Sequence, residues 1–173
     1  MQSVRASVRL ALLVFCSVTL APPRLLDGQA ITPRGAADTW RLDDSTAVAA
    51  ALSHFLTAFE NLDWVPFRAS FADSATIFQP VPEMAERVTG PRAIDSTFRA
   101  VFANIRSHAT GGPPYQSLVP IDLRIQPLSP GLVLVTFELH NAERVARRTV
   151  VFRRERLGWR ILHLHASNIT TKR

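Results

Sequence analysis

At Gly111-Gly112-Pro113-Pro114 the hydrophobic pattern of this chain switches from helical spacing to alternation. Two glycines and two prolines end a helix and cannot be absorbed into a strand, so the switch marks a true boundary. Before it, apolar side chains recur every third or fourth residue, and after it every second. Helices first and strands afterwards predict an α+β domain, with three N-terminal helices packed on one face of a curved, mainly antiparallel sheet.

Ahead of the boundary, Val48, Ala51, Leu52, Phe55, Leu56 and Phe59 mark an amphipathic helix from Asp43 to Asn61, with Asp43, Asp44 and Ser45 available as caps. Leu62 to Phe71 predicts a short second helix with Trp64, Phe67 and Phe71 inward, and Ala75 to Gln79 a short strand that Pro80 and Pro82 stop. Gly90-Pro91 opens a third helix, because proline suits the first turn and Ile94, Phe98, Val101, Phe102 and Ile105 form a stripe behind it. Beyond the boundary, strands fit Val119 to Gln126, Leu132 to Asn141, Val145 to Arg154 and Trp159 to Ile169, joined by turns at 127–131, 141–143 and 157–158.

The first thirty residues read as an export signal, with Arg5 and Arg9 ahead of the apolar stretch Leu10 to Ala21 and a polar segment ending Gly28-Gln29-Ala30. That stretch is too short to span a bilayer, which takes ~20 residues. The expected organisation is a signal peptide over 1–30, a flexible lead-in over 31–42 and one domain over 43–173, in a periplasmic or secreted protein with no membrane attachment after cleavage. Cys16, the single cysteine, would leave with the signal, so no disulfide framework is expected. Cleavage reduces 20 basic and 14 acidic residues by Arg5, Arg9, Arg24 and Asp27 to 17 and 13, a net charge of +4. Arg144, Arg147, Arg148, Arg153, Arg154 and Arg156 cluster within this modest excess. A solvated strand hairpin accounts for them, and no nucleic-acid partner is expected.

The last strand carries the most chemically suggestive pattern. In Trp159-Arg160-Ile161-Leu162-His163-Leu164-His165-Ala166-Ser167, an unbroken strand puts both imidazoles on the face of Trp159, Ile161 and Ser167. Histidine serves near neutral pH as acid, base or metal ligand. A polar filling of half-buried strand positions explains the same pattern without chemistry. A three-histidine metal centre would need His140 from a neighbouring strand. Glu138 and His140 alternate with Val133, Val135, Phe137 and Leu139, which is the pattern of a solvent face, so neither metal nor cofactor is expected. Glu60 and Asp63 read as exposed turn carboxylates rather than an acid-base couple.

Three further patterns occur in order. Phe71-Ala72-Asp73-Ser74-Ala75-Thr76, Gly90-Pro91-Arg92-Ala93-Ile94 and Gly158-Trp159-Arg160-Ile161-Leu162-His163 resemble the helix-to-strand turn, the opening of the third helix and the last strand of the cone-shaped fold shared by nuclear transport factor 2, ketosteroid isomerase and the SnoaL-like polyketide cyclases. The resemblance implies a pocket between the helices and the concave sheet and, as in many members, a homodimer. It implies no single reaction, because isomerases, cyclases, dehydratases, epoxide hydrolases and non-catalytic binding modules share the cone.

Set beside ketosteroid isomerase, Phe55 stands where that enzyme has its oxyanion-donating tyrosine and Gln79 where it has its catalytic aspartate. Neither can do that work, and the stretch that should supply the second aspartate falls within Arg147 to Val151. The leading expectation is therefore a small, largely apolar molecule bound in the cone, with His163, His165 and Gln79 as polar contacts and Phe55, Phe59, Trp64, Phe98, Phe102, Trp159 and Ser167 around it. Two other readings stand beside it. One is an acid-base enzyme of cyclase, isomerase or dehydratase type working through His163 or His165, and the other a dimerisation or partner-binding module with a filled cone. The histidine contacts of the first reading and the chemistry of the second need the imidazoles to face the interior.

Overall fold

The computed structural model describes residues 42–80, 86–141 and 143–170; the expected signal peptide with Cys16, and the lead-in as far as Arg41, lie outside these. In chain order the elements are α1 (Leu42–Glu60), α2 (Trp64–Ala69), β1 (Phe71–Phe78), β2 (Val88–Thr89), α3 (Gly90–His108), β3 (Ile121–Ser129), β4 (Leu132–His140), β5 (Arg144–Glu155) and β6 (Gly158–Thr170). The strands form one six-stranded sheet in the order β2-β1-β6-β5-β4-β3. Every neighbouring pair is antiparallel except β1 with β6. The domain is thus α+β with a curved, mainly antiparallel sheet.

The apolar stripes read from the sequence explain why the helices gather on one face. Val48, Leu52, Phe55 and Leu56 of α1, Phe67 of α2, and Ile94, Phe98 and Phe102 of α3 share one core with Val133, Val135, Phe137, Val150, Phe152 and Ile161 of the sheet. Phe67 lies at its centre, with ring centroids 4.8 Å from Phe98, 4.9 Å from Phe102, 5.2 Å from Phe71 and 5.6 Å from Phe55. One six-residue helix therefore ties both long helices to the first strand.

Three details depart from expectation. The second helix stops at Ala69, and β1 begins at Phe71 rather than Ala75. The cause is a backbone bond from the Ile161 N–H to the Ser70 carbonyl, 2.8 Å, which draws this segment into the ladder with β6. β3 continues through Pro127 to Ser129. It is an edge strand, where a missing N–H need not break the ladder. Gly131, at φ 73°, then supplies the left-handed residue that turns β3 into β4.

The third departure decides the site. Along β5 and β6, Phe152 faces Ile161 but Val151 faces His163, so Leu162 is an extra residue and β6 carries a bulge. The bulge reverses the strand's alternation. Ile161 is buried ahead of it, whereas Leu164 and Ala166 are buried beyond it.

Candidate functional site

Between α1, α3 and the inner face of the sheet lies a cavity of about 560 Å³. Phe55, Leu56 and Phe59 come from α1, Phe98, Val101 and Ile105 from α3, Phe137 and Leu139 from β4, and Leu164 and Ala166 from β6. These apolar walls are interrupted at four points by Gln79, Asn104, Gln116 and Arg148. Small-molecule sites have this character, a volume of about 300–1,000 Å³ and a few polar groups fixed in an apolar surround.

Part of the wall is built from a connection between distant parts of the chain. Gln116 and Leu118 belong to the segment between α3 and β3, which carries the glycine-proline boundary. Glu60, in the last turn of α1, holds this segment twice. Its carboxylate accepts the Leu118 N–H at 2.6 Å, and its carbonyl accepts the Tyr115 N–H at 2.8 Å. Glu60 is consequently a half-buried structural acceptor rather than the exposed turn residue expected.

Arg148 is the charged group of the cavity. In β5 it alternates in phase with buried Ala146 and Val150, which turns its side chain inward. One nitrogen of the guanidinium, Nη1, donates to the carbonyls of Arg147 at 2.8 Å and Ser167 at 3.2 Å. Among the described residues no carboxylate pairs with it. Burial away from water disfavours its charge and pulls its pKa down to about 10. Gln79 lines the same cavity, and its Nε2 is buried with no hydrogen-bond partner among the described residues.

The two expected imidazoles are not there. With the bulge at Leu162, His163 and His165 project from the opposite, outer face of the sheet, beside Phe78, whose ring lies 6.0 and 5.7 Å from theirs. His163 shares a 2.7 Å hydrogen bond, through Nδ1, with the Thr76 hydroxyl. Desolvation, assisted by the charges of His165 and Arg87, holds its pKa below the ordinary histidine value. Ser167 moves to the outer face with them, opposite Arg147. An acid-base or contact role for either ring inside the cone is thereby ruled out by strand geometry.

Other expected residues divide. Phe55, Phe59, Gln79 and Phe98 line the cavity, including the two positions that departed from ketosteroid isomerase. Phe102 is buried in the core behind the wall. Trp64 packs edge-on against Phe102 at 6.1 Å beneath the Arg99 guanidinium, away from the cavity. Trp159 borders a separate, smaller depression with His54, Ser70 and Arg160. His140 cannot join the other two histidines, since β5 separates its strand from theirs, and it pairs with Glu138 at 2.8 Å.

The arginine cluster is resolved into separate fates. Arg153 meets Glu155, Arg147 meets Glu138 and Arg154 meets Asp44, while Arg148 alone of the four turns into the cavity. Arg148, Asn104 and Gln116 are the polar lining residues that sequence reasoning missed. For Arg148 a signal existed, its phase with Ala146 and Val150; Asn104 and Gln116 carried none.

Solved structures share this fold. A ketosteroid isomerase-like protein from Erwinia carotovora atroseptica superimposes with a TM-score of 0.60 at 16% identity, covering 75% of this chain and 98% of that one. An uncharacterized protein with a cystatin-like fold from Caulobacter vibrioides gives 0.60 at 14%, covering 75% and 92%. An NTF2-like protein of unknown function from Pseudomonas putida gives 0.56 at 17%, covering 72% and 85%. Likeness at such identities concerns the fold alone. Among curated proteins none matches this sequence. The family model described as the SnoaL-like domain matches residues 48–171, which takes in the cavity and the whole sheet. On that match, and with the same helices and curved sheet as its structural neighbours, the chain belongs to the SnoaL-like family of nuclear transport factor 2-like folds.

Proposed function

We propose that the protein binds a small, largely apolar molecule in the cavity between its helices and sheet, and that it does so outside the cytoplasm after export. The observation that carries the reading is the cavity itself, about 560 Å³ with phenylalanine and aliphatic walls and a few inward polar groups. A core that merely needed filling would close such a space, because interiors pack to the density of organic crystals. Binding is favoured over turnover by the lining. Among its described residues none is a carboxylate or an imidazole, and the arginine is too basic to accept a substrate proton near neutral pH.

The experiment is a calorimetric and thermal-shift screen of apolar molecules against residues 31–173 and the same protein carrying Ala166→Phe, which fills the cavity floor. Stabilisation of the parent that the variant loses supports the reading. Cooperative melting of both with no response from either rejects it.

Homodimerisation is a second reading, supported by the outer face of the sheet. There the rows Leu134-Val151-His163-Thr76 and Thr136-Thr149-His165-Phe78 run across four strands without lysine, arginine or carboxylate. A second copy laid over this patch would cover Leu134 and Val151, beside Phe78, over whose ring the Arg87 guanidinium lies at 5.1 Å. Light scattering on a sizing column tests it, with a dimer expected for the parent and a monomer for Val151→Arg. A monomeric parent ends the reading.

A further inference from the structure

We infer that the molecule bound in this cavity carries a carboxylate, received by Arg148 and Gln79 at the cavity floor; the inference rests on the binding reading above. The strand register brings these two side chains together. β6 lies between β1 and β5, with Phe78 opposite His165 and Arg148 opposite Ala166. Gln79, one residue past Phe78, therefore flanks Ala166 on one side as Arg148 does on the other. Two strand spacings separate their backbones, about 10 Å. Ala166 between them has only a methyl group, which leaves room for a ligand head group.

The donors at this floor outnumber their partners. A guanidinium has five N–H groups, and only Nη1 of Arg148 is hydrogen-bonded among the described residues, to two backbone carbonyls. The Gln79 amide adds a buried donor without a partner among the described residues. Carbonyl oxygens satisfy hydrogen bonds but do not balance a charge, and a half-buried guanidinium without a counter-ion among the described residues weakens the fold that holds it. A carboxylate supplies both missing elements, since its two oxygens match the planar guanidinium fork and accept a further N–H from an amide. The phenylalanine and leucine walls call for an apolar remainder on the same molecule.

The probes are decanoate and 2-naphthoate, each compared with its primary amide, which keeps shape and loses charge. Titration calorimetry near pH 7.5 is expected to show either acid binding the parent at least tenfold more tightly than its amide. Arg148→Met should remove that preference by weakening the acid alone. With no ligand present the same variant is expected to melt about 2–4 °C higher, because it deletes a half-buried charge that no described carboxylate balances. Gln79→Leu, which retains Arg148, should weaken acid binding by a smaller factor and keeps the test intact should Arg148→Met fail to fold. Amides that bind the parent as tightly as the acids would overturn the carboxylate while leaving the apolar site standing. No binding of acids or amides would overturn both.

Discussion

The carboxylate of Glu60 accepts the backbone N–H of Leu118 at 2.6 Å, fastening the segment after the glycine-proline boundary to the end of the first helix. Leu118 and Gln116 line the cavity, so this acceptor helps to fix one part of its wall. Glu60→Ala is expected to cost about 1.5–3 kcal/mol, the usual range for a hydrogen bond to a charged group. Hydrogen exchange should accelerate at 115–118 ahead of the sheet. Glu60→Gln, which preserves an acceptor oxygen, should recover most of the loss. Equal protection in all three proteins would show that the segment is held by its apolar side chains instead.

Phe67 touches every large element of the helical layer from a helix of six residues. Phe67→Ala should therefore destabilise by about 3–5 kcal/mol, the range for truncating a fully buried phenylalanine. Phe67→Leu should cost much less, since it preserves most of the volume. Denaturant unfolding measures both.

Acid should destabilise the protein through His163. Its folded pKa lies below the ordinary value, so over the interval between the two the unfolded chain binds the additional proton. The associated stability is complete above the unfolded pKa and is lost as pH falls through 6.5 toward the depressed folded value. Burial is the principal cause, with the positive charges of His165 and Arg87 adding to it. His163→Gln retains a side chain able to hydrogen-bond Thr76 but does not titrate. It should flatten the dependence of melting temperature on pH between about 5 and 7, where an ordinary histidine changes charge. An unchanged slope would assign the acid sensitivity to other groups.

Ala166→Phe should abolish ligand response without loss of fold, because its ring would enter existing space rather than displace neighbours. Circular dichroism and cooperative melting establish the fold, and calorimetry reads the binding. A tenfold or greater fall in affinity is expected. His163→Ala and His165→Ala should leave affinity unchanged, since their rings lie on the far side of the sheet.

The elements were legible because apolar spacing decides which face is buried, and Phe98 and Phe102 or Val133 and Val135 mark their faces clearly. The site was only partly legible. Counting by twos through β6 places His163 with Ile161, but the one extra residue at Leu162 reverses every later side chain, and no glycine or proline marks the place. Composition hid Arg148 differently. It stands in a run of arginines of which Arg147, Arg153 and Arg154 form ion pairs with nearby carboxylates, and its phase with buried Ala146 and Val150 is what marks it as inward. Glu60 could not be recognised because its partner is a backbone N–H 58 residues away.

The outermost strands protect the domain from a hazard of its architecture. An open sheet offers its rim to any extended chain, and β3 presents Ile121, Leu123 and Leu128 there, each more than 40% exposed. Pro127 withholds one of the amide donors that an incoming strand would need. At the opposite rim β2 spans only Val88–Thr89, too brief a template for stable recruitment. Growth by strand addition is blunted from both directions, on one side by chemistry and on the other by length.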